Sequence, residues 1–81
     1  MNFKEGSLVE VIQGKDKGEL FLIKEIIDNF ALLVNGKNRT LKNPKIKNLK
    51  HIILKKNYNL DFKFMNDCDI IYKIKCFKGD L

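Results

Sequence analysis

The sequence predicts a mainly β fold, in which five short strands form a small barrel and a C-terminal extension carries a short helix. Three observations lead to this prediction. Short apolar runs rich in β-branched residues recur through residues 8–54. Glycines and asparagine-containing turn pairs separate these runs, and the spacing of apolar residues becomes helical only after residue 66. A chain of 81 residues makes one small domain with a simple core, in which a deep enclosed active site would be hard to build.

The first two predicted strands, residues 8–12 and 20–27, enclose a loop at 14–18 with the sequence GKDKG. Its two glycines permit the positive backbone angles of a tight turn. The second strand opens with four apolar residues, 20–23, which indicates burial on both faces or a bend that exchanges the faces. A helix over residues 19–27 is the alternative, but the β-branched content, the flanking turns and the limited length favour a strand.

The third and fourth strands are predicted at residues 30–34 and 37–41, on either side of Asn35-Gly36. This dipeptide is typical of the type I′ turn, which needs two positive backbone angles. The two strands should therefore pair directly as a hairpin. Lys37 and Arg39 would then alternate along one face of the returning strand.

A basic connection is predicted after this hairpin. Asn43-Pro44 should end the strand, because proline cannot donate to a ladder. Residues 45–50 would then run on as a connection anchored by Ile46 and Leu49, and a fifth strand at 51–54 would close the barrel. Five short strands with glycine-marked turns are typical of a small SH3-like barrel.

The prediction divides the chain into a barrel domain, residues 1–55, and a C-terminal extension, residues 56–81. Residues 55–64 are polar with scattered aromatics and carry no clear pattern. A helix is predicted at 67–77, with Asn66 or Asp67 as its cap and Gly79 as its stop. Its apolar positions have helical spacing; they are Ile70, Ile71, Ile74 and Phe77. A strand is the alternative, because Ile-Ile-Tyr is β-prone.

The residue types argue against an enzyme, a metal site and a bound cofactor. Cys68 and Cys76 would lie about 12 Å apart along a helix, too far for a disulfide, so both should be reduced. Their spacing is not that of a metal-binding pair, and His51 is remote in sequence. No Ser/His/Asp set is evident, and loop 14–18 lacks the length and the following Ser or Thr of a nucleotide-binding loop. The N-terminus carries no apolar signal segment and no run spans a membrane, so a cytoplasmic protein is expected.

The positive charge is concentrated in one segment. The chain has a formal net charge of +6, yet residues 37–60 contain eight Lys or Arg and no acid. Acids outnumber bases in residues 1–36. Such asymmetry indicates a polyanionic partner. A solvated lysine-rich face that keeps a marginal domain in solution is the alternative.

Residues 6–54, about three fifths of the chain, resemble the KOW domain of ribosomal proteins and some transcription elongation factors. The likeness runs through the first strand, loop 14–18 and the apolar strand after it, with Gly18 in the place of the family's hallmark glycine. The run from Ala31 to Lys50-His51 is similar to a bacterial subgroup of small RNA-binding KOW proteins, which resemble the archaeal and eukaryotic large-subunit ribosomal protein family numbered fourteen. Many KOW motifs have a further glycine where this chain has Phe21, and the ribosomal subgroup often lacks it.

The resemblance and the charge together imply a non-catalytic module that binds ribosomal or other structured RNA, acting as a monomer. Arg39, the only arginine, can bind phosphate or a guanine edge bidentately. Phe21 and Phe30 are assigned to the core, which favours recognition of RNA shape and backbone over stacking on single strands. The expected contact residues are Lys15, Lys17, Gly18, Lys37, Arg39, Lys42, Lys45, Lys47, Lys50 and His51.

Two alternatives stay open at this point. A histidine at a strand edge is more often structural than RNA-binding, so His51 has two interpretations. An SH3-like barrel can also dock on proteins of the ribosome or the transcription machinery. In that case the apolar face of the helix at 67–77 would be either the partner site or the surface that packs on the barrel.

Overall fold

The computed structural model describes residues 3–79, so the ends of the two predicted domains, residues 1–2 and 80–81, lie outside the described residues. Five antiparallel strands form one sheet in the order β4-β3-β2-β1-β5, and one helix follows them. The strands are β1 (Ser7–Val11), β2 (Leu20–Ile27), β3 (Phe30–Val34), β4 (Lys45–Asn48) and β5 (Ile52–Asn57). Short 3-10 turns occupy Leu49–His51 and Phe62–Phe64, and helix α1 spans Asp67–Lys78. The predicted small β-barrel with a C-terminal helix is confirmed.

The barrel interior is filled by alternate residues of the first three strands and the start of β5. Its buried residues are Val9, Val11, Phe21, Ile23, Ala31, Leu33 and Ile52. Phe3, Ile26 and Leu49 pack against this cluster from its rim. Because strand side chains alternate between the two faces, the residues between these face outward.

A second apolar cluster lies on the outer face of the same strands. Leu8 pairs with Leu22, and Leu22 pairs with Val34, so these three side chains form one row across β1, β2 and β3. Ile70 and Ile74 of α1 cover that row, and all five residues are buried. The apolar start of β2 is therefore buried on both faces, as predicted.

Helix α1 begins and ends where the sequence indicates. Asn66 caps its N-terminus in a capping box with Asp69, and Gly79 ends it with a φ of 76°. The segment between β5 and α1 also joins the second cluster, through Tyr58, Leu60, Phe62 and Met65. The apolar face of the helix thus packs on its own barrel, which buries Ile70 and Ile74 and leaves only Ile71 and Phe77 of the alternative partner site partly exposed.

The predicted hairpin at Asn35-Gly36 is wrong. Strand β3 pairs with β4, in the register Leu33 with Lys45 and Phe30 with Asn48, so residues 37–41 form a loop between them. Gly36 has a φ of 81°, but Asn35 does not have the positive φ that a type I′ turn needs. The Asn35 side chain instead accepts from two backbone N–H groups of the loop, an alternative to strand pairing that asparagine favours.

The segment predicted as a basic connection is strand β4 followed by a 3-10 turn. Pro44 immediately precedes this edge strand, where no ladder hydrogen bond is lost. Leu49 packs on the core as expected, but Ile46 faces solvent and is 65% exposed, so it is not an anchor. The fifth strand is longer than predicted because it continues through polar residues to Asn57. No helix within residues 3–79 is long and apolar enough to cross a membrane.

Candidate nucleic-acid interface

Loop 14–18 is a closed, hydrogen-bonded turn between β1 and β2. The N–H of Lys17 donates to the carbonyl of Gly14 at 3.2 Å, and the N–H of Glu19 donates to that of Asp16 at 2.9 Å. Gly18 has a φ of 91° and donates to the carbonyl of Val11 at 2.8 Å. The positive φ favours glycine at this position. The turn leaves Lys15 and Lys17 exposed at its tip.

The lysines of β4 reach toward this loop. Lys45 and Lys47 pair in register with Leu33 and Ala31, whose side chains point into the barrel, so the lysines lie on the same face. Strand β4 lies at the edge of the sheet, and both lysine side chains reach residues of the β1–β2 loop. The Nζ of Lys45 lies 2.7 Å from the Oδ2 of Asp16. The Nζ of Lys47 lies so close to Gly14 that a Cβ there would be 2.8 Å away.

The carboxyl groups of this region have shifted pKa values. The hydrogen bond from Lys45 lowers the pKa of Asp16 against an opposing effect of burial, and the charge of Arg39 contributes to the lowering. Burial raises the pKa of Glu19, and the neighbouring Asp16 raises it further. Arg39 and Lys45 therefore both lower the pKa of the same carboxylate, and Lys45 contacts it directly.

The loop after β3 holds Lys37 and Arg39 by their backbones. The Oδ1 of Asn35 accepts from the N–H of Lys37 at 3.0 Å and from that of Arg39 at 3.1 Å. The carbonyl of Arg39 in turn accepts from the N–H groups of Asn35 and Gly36, at 2.8 and 3.1 Å. The prediction that these two basic residues alternate along a strand is therefore wrong. They project from a turn that the Asn35 side chain closes.

Gly18 and Lys37 line a cleft of about 350 Å³ that the prediction missed. Its other wall belongs to α1, which contributes Ile71, Lys75 and Lys78 at helical positions i, i+4 and i+7. This spacing was a signal in the sequence that the three residues share one stripe. Only the docking of the helix, however, places that stripe opposite Lys37.

The remaining predicted contact residues, Lys42, Lys50 and His51, belong to other turns of the chain. Lys42 is exposed in the turn after Leu41, whose N–H donates to the carboxylate of Asp67 at 2.9 Å. Lys50 is exposed on the 3-10 turn after β4. His51 follows it, half-buried, and its carbonyl accepts from the N–H of Ile12 at 2.9 Å. Its backbone thus joins the 3-10 turn to the end of β1.

The structure also locates the aromatic side chains that could stack on bases. Phe21 is buried in the barrel, but Phe30 faces outward and is 45% exposed, so its assignment to the core is wrong. Two ammonium groups lie over the ring of Tyr58, with the Nζ of Lys56 at 5.2 Å and that of Lys73 at 4.9 Å from the ring centroid. Both cysteines are free and exposed. Residues 3–79 contain no group of three or more His, Cys, Asp or Glu that could hold a metal ion.

In comparisons with known proteins, no family model matches the chain and no curated protein matches it.

Proposed function

We propose that the protein is a non-catalytic RNA-binding module of the KOW type, which docks on ribosomal or other structured RNA in the cytoplasm and acts as a monomer. The observation that carries this proposal is the convergence of separate basic segments beside loop 14–18. Lys45 forms an ion pair with Asp16, Lys47 reaches Gly14, and Arg39 acts on the same carboxylate as Lys45. Together with Lys15, Lys17 and Lys37, these residues form what we call the basic face.

The basic face suits backbone recognition. Lysine and arginine side chains neutralise phosphates, and such contacts position a protein on folded RNA without reading its sequence. Lys37 and Arg39 stand on a hydrogen-bonded turn, and Lys45 and Lys47 on a strand, so the backbone positions from which these cations project are in a fixed arrangement. A fixed arrangement selects RNA by shape as well as by charge.

A salt titration against a structured RNA tests the electrostatic contribution to the binding affinity. With about six phosphate contacts, the logarithm of affinity should fall with the logarithm of salt concentration at a slope of about −4 to −5. A slope near zero would contradict electrostatic docking. Sedimentation of the tagged protein with ribosomes at low and high salt tests whether the bound RNA is ribosomal.

A matched pair of double variants tests whether RNA binds at the basic face. Arg39→Ala with Lys47→Ala removes two cations from the basic face, and Lys63→Ala with Lys73→Ala removes two from the C-terminal extension. The first pair should weaken binding about tenfold and reduce the steepness of the salt slope by about 2. The second pair, with the same change in net charge, should bind like the wild type. Equal losses would show a diffuse effect of net charge. Lys45 is left intact here, because its removal would leave Asp16 unpaired.

A protein-docking module is the second candidate, favoured by exposed apolar residues on the outer face of the sheet. Ile27 pairs with Phe30 across β2 and β3, and Ile46 lies on the edge strand β4; all three are exposed. Copurification before and after ribonuclease treatment separates the two functions. Ribosomal or transcription proteins that remain bound after RNA is destroyed, and are lost with Ile46→Ser, would favour this candidate.

A further inference from the structure

The cleft between loop 14–18 and α1 combines an apolar floor with a charged rim. Leu20, Ile71 and Ile74 form apolar parts of its lining. Lys37 stands on the barrel side and Lys75 on the helix side. Its volume of about 350 Å³ lies within the range of small-molecule sites, about 300–1,000 Å³.

The two cations on opposite sides of the cleft are available to a ligand. Both side chains are exposed, and within residues 3–79 neither Lys37 nor Lys75 forms an ion pair. Lys78 also lines the cleft and has interactions of its own. A negatively charged group at the rim would therefore lie between two ammonium groups.

Glu19 restricts the kind of anion that fits. Glu19 is the only acidic residue that lines the cleft within residues 3–79, and its carboxylate lies beside Asp16. A small bare anion would be repelled by this carboxylate and would leave the apolar floor unused. A ligand with a flat apolar body, an amino donor and a separate phosphate would satisfy the floor, Glu19 and the lysines together.

We propose that this cleft receives one unstacked nucleotide of the bound RNA. The base lies on Leu20, Ile71 and Ile74, and its phosphates lie between Lys37 and Lys75. Glu19 accepts a hydrogen bond from the amino group of the base, so adenine or cytosine is favoured over uracil. The proposal rests on the RNA-binding function, because Gly18 and Lys37 belong to both the cleft and the region of the basic face. It adds a contact to α1, which the basic face does not include.

Two hairpin RNAs that differ only by one unpaired adenosine test this assignment. The wild-type protein should bind the bulged hairpin about fivefold more tightly, a difference of about 1 kcal/mol by the affinity relation. A bulged uridine should give a smaller gain. Because both hairpins have the same paired backbone, the basic face contributes nearly equally to both.

Two lysines of the same helix provide the matched variants. Lys75→Ala should remove the preference for the bulge and leave binding of the plain hairpin nearly unchanged. Lys73→Ala changes the charge equally, but Lys73 lies over Tyr58 and outside the cleft, so the preference should persist. The cleft assignment is overturned if the two hairpins bind the wild type equally, or if both variants behave alike. If neither hairpin binds at all, the proposed RNA-binding function itself fails.

Free nucleotide distinguishes a nucleotide site from a simple anion site. In spectra of ¹⁵N-labelled protein, adenosine monophosphate should shift the backbone amide signals of Gly18, Ile71 and Lys75. Inorganic phosphate at equal ionic strength should leave these signals in place. The same shifts with phosphate alone would overturn the nucleotide assignment.

Discussion

The carboxylate of Asp16 lies 2.7 Å from the ammonium of Lys45, and this ion pair joins the β1–β2 loop to the edge strand β4. The two side chains are only 19% and 21% exposed, so solvent screens the pair less than a fully exposed one. The pair links two segments that are distant in sequence. It also neutralises a cation of the basic face. Asp16 should therefore favour folding and oppose RNA binding.

Asp16→Asn should lower stability at neutral pH, by about 1 kcal/mol as for a favourable surface pair. The pKa of Asp16 is held below its usual value of 3.8, mainly by the hydrogen bond from Lys45. Because the unfolded chain then binds the proton more readily, the contribution is complete only well above the ordinary pKa of 3.8. This stabilising contribution is lost as the pH falls through the lowered pKa of Asp16 in the folded protein. Urea denaturation at pH 7, 4 and 2.5 should show that the difference in free energy of unfolding between the wild type and the variant becomes smaller as the pH falls.

A double-mutant cycle with Lys45→Met isolates the pair from other effects of the two substitutions. The coupling between Asp16→Asn and Lys45→Met should be present at pH 7 and clearly smaller at pH 2.5. A stability difference that stays constant with pH would contradict this account.

The same Asp16→Asn substitution should strengthen RNA binding. It frees Lys45 and removes one negative charge from the basic face, so affinity at low salt should rise about threefold with a steeper salt slope. Glu25→Gln removes one exposed carboxylate elsewhere and should have a smaller effect. Fluorescence anisotropy with a structured RNA measures both variants. Unchanged or weaker binding by Asp16→Asn would mean that Lys45 does not contact the RNA.

Glu19→Gln should raise the stability of the fold at neutral pH, whereas Asp16→Asn should lower it. Burial is the main cause that raises the pKa of Glu19 above its usual value of 4.5, so folding disfavours its charged form. Wild-type stability is therefore reduced as the pH rises through the raised value. Because Glu19 is also exposed to screening solvent, the variant should melt only slightly higher at pH 7 and show no difference near pH 3. Glu25→Gln is the control; an equal gain from it would point to net charge instead.

The local patterns predicted the first three strands and the helix because each depends on residues close in sequence. Strands β2 and β3 match their predicted bounds, and Asn66 and Gly79 cap α1 as expected. Strand β4 was missed because Asn35-Gly36 has two possible uses. Here the Asn35 side chain bonds the backbone of its own loop, and Gly36 packs against α1, a contact that no local pattern reveals.

The basic face was partly predictable, because some of its residues are close in sequence. An acid-free segment is visible in the sequence, and it places Lys37, Arg39, Lys45 and Lys47 in one region. The pairing of Lys45 with Asp16 depends on the barrel closing, and the position of Lys75 depends on how α1 docks. Such long-range contacts need the register of the sheet and the angle of the helix, which residue spacing alone does not supply.

Gly36 and Gly18 should respond very differently to alanine. Both have a positive φ, which costs a residue with a Cβ about 1–2 kcal/mol. At Gly36 the Cβ would also collide with the backbone of Asp67 and lie 2.7 Å from Ile71, whereas at Gly18 it would meet no atom within 4 Å. Guanidinium denaturation should show a loss of about 3 kcal/mol or more for Gly36→Ala. Gly18→Ala should lose only the backbone cost, and equal losses would contradict the close packing of Gly36 on α1.

Asn35→Ala should link the fold of the β3–β4 loop to the basic face. The substitution removes the acceptor for the N–H groups of Lys37 and Arg39, so unfolding should become easier by about 1–2 kcal/mol. RNA binding should weaken at least threefold as well, because the two cations lose their fixed position. Asn35→Asp retains the acceptor oxygens and should keep most of the stability. Denaturation curves and anisotropy titrations measure the two effects. A stable Asn35→Ala protein with unchanged RNA affinity would mean that the position of this loop does not matter for binding.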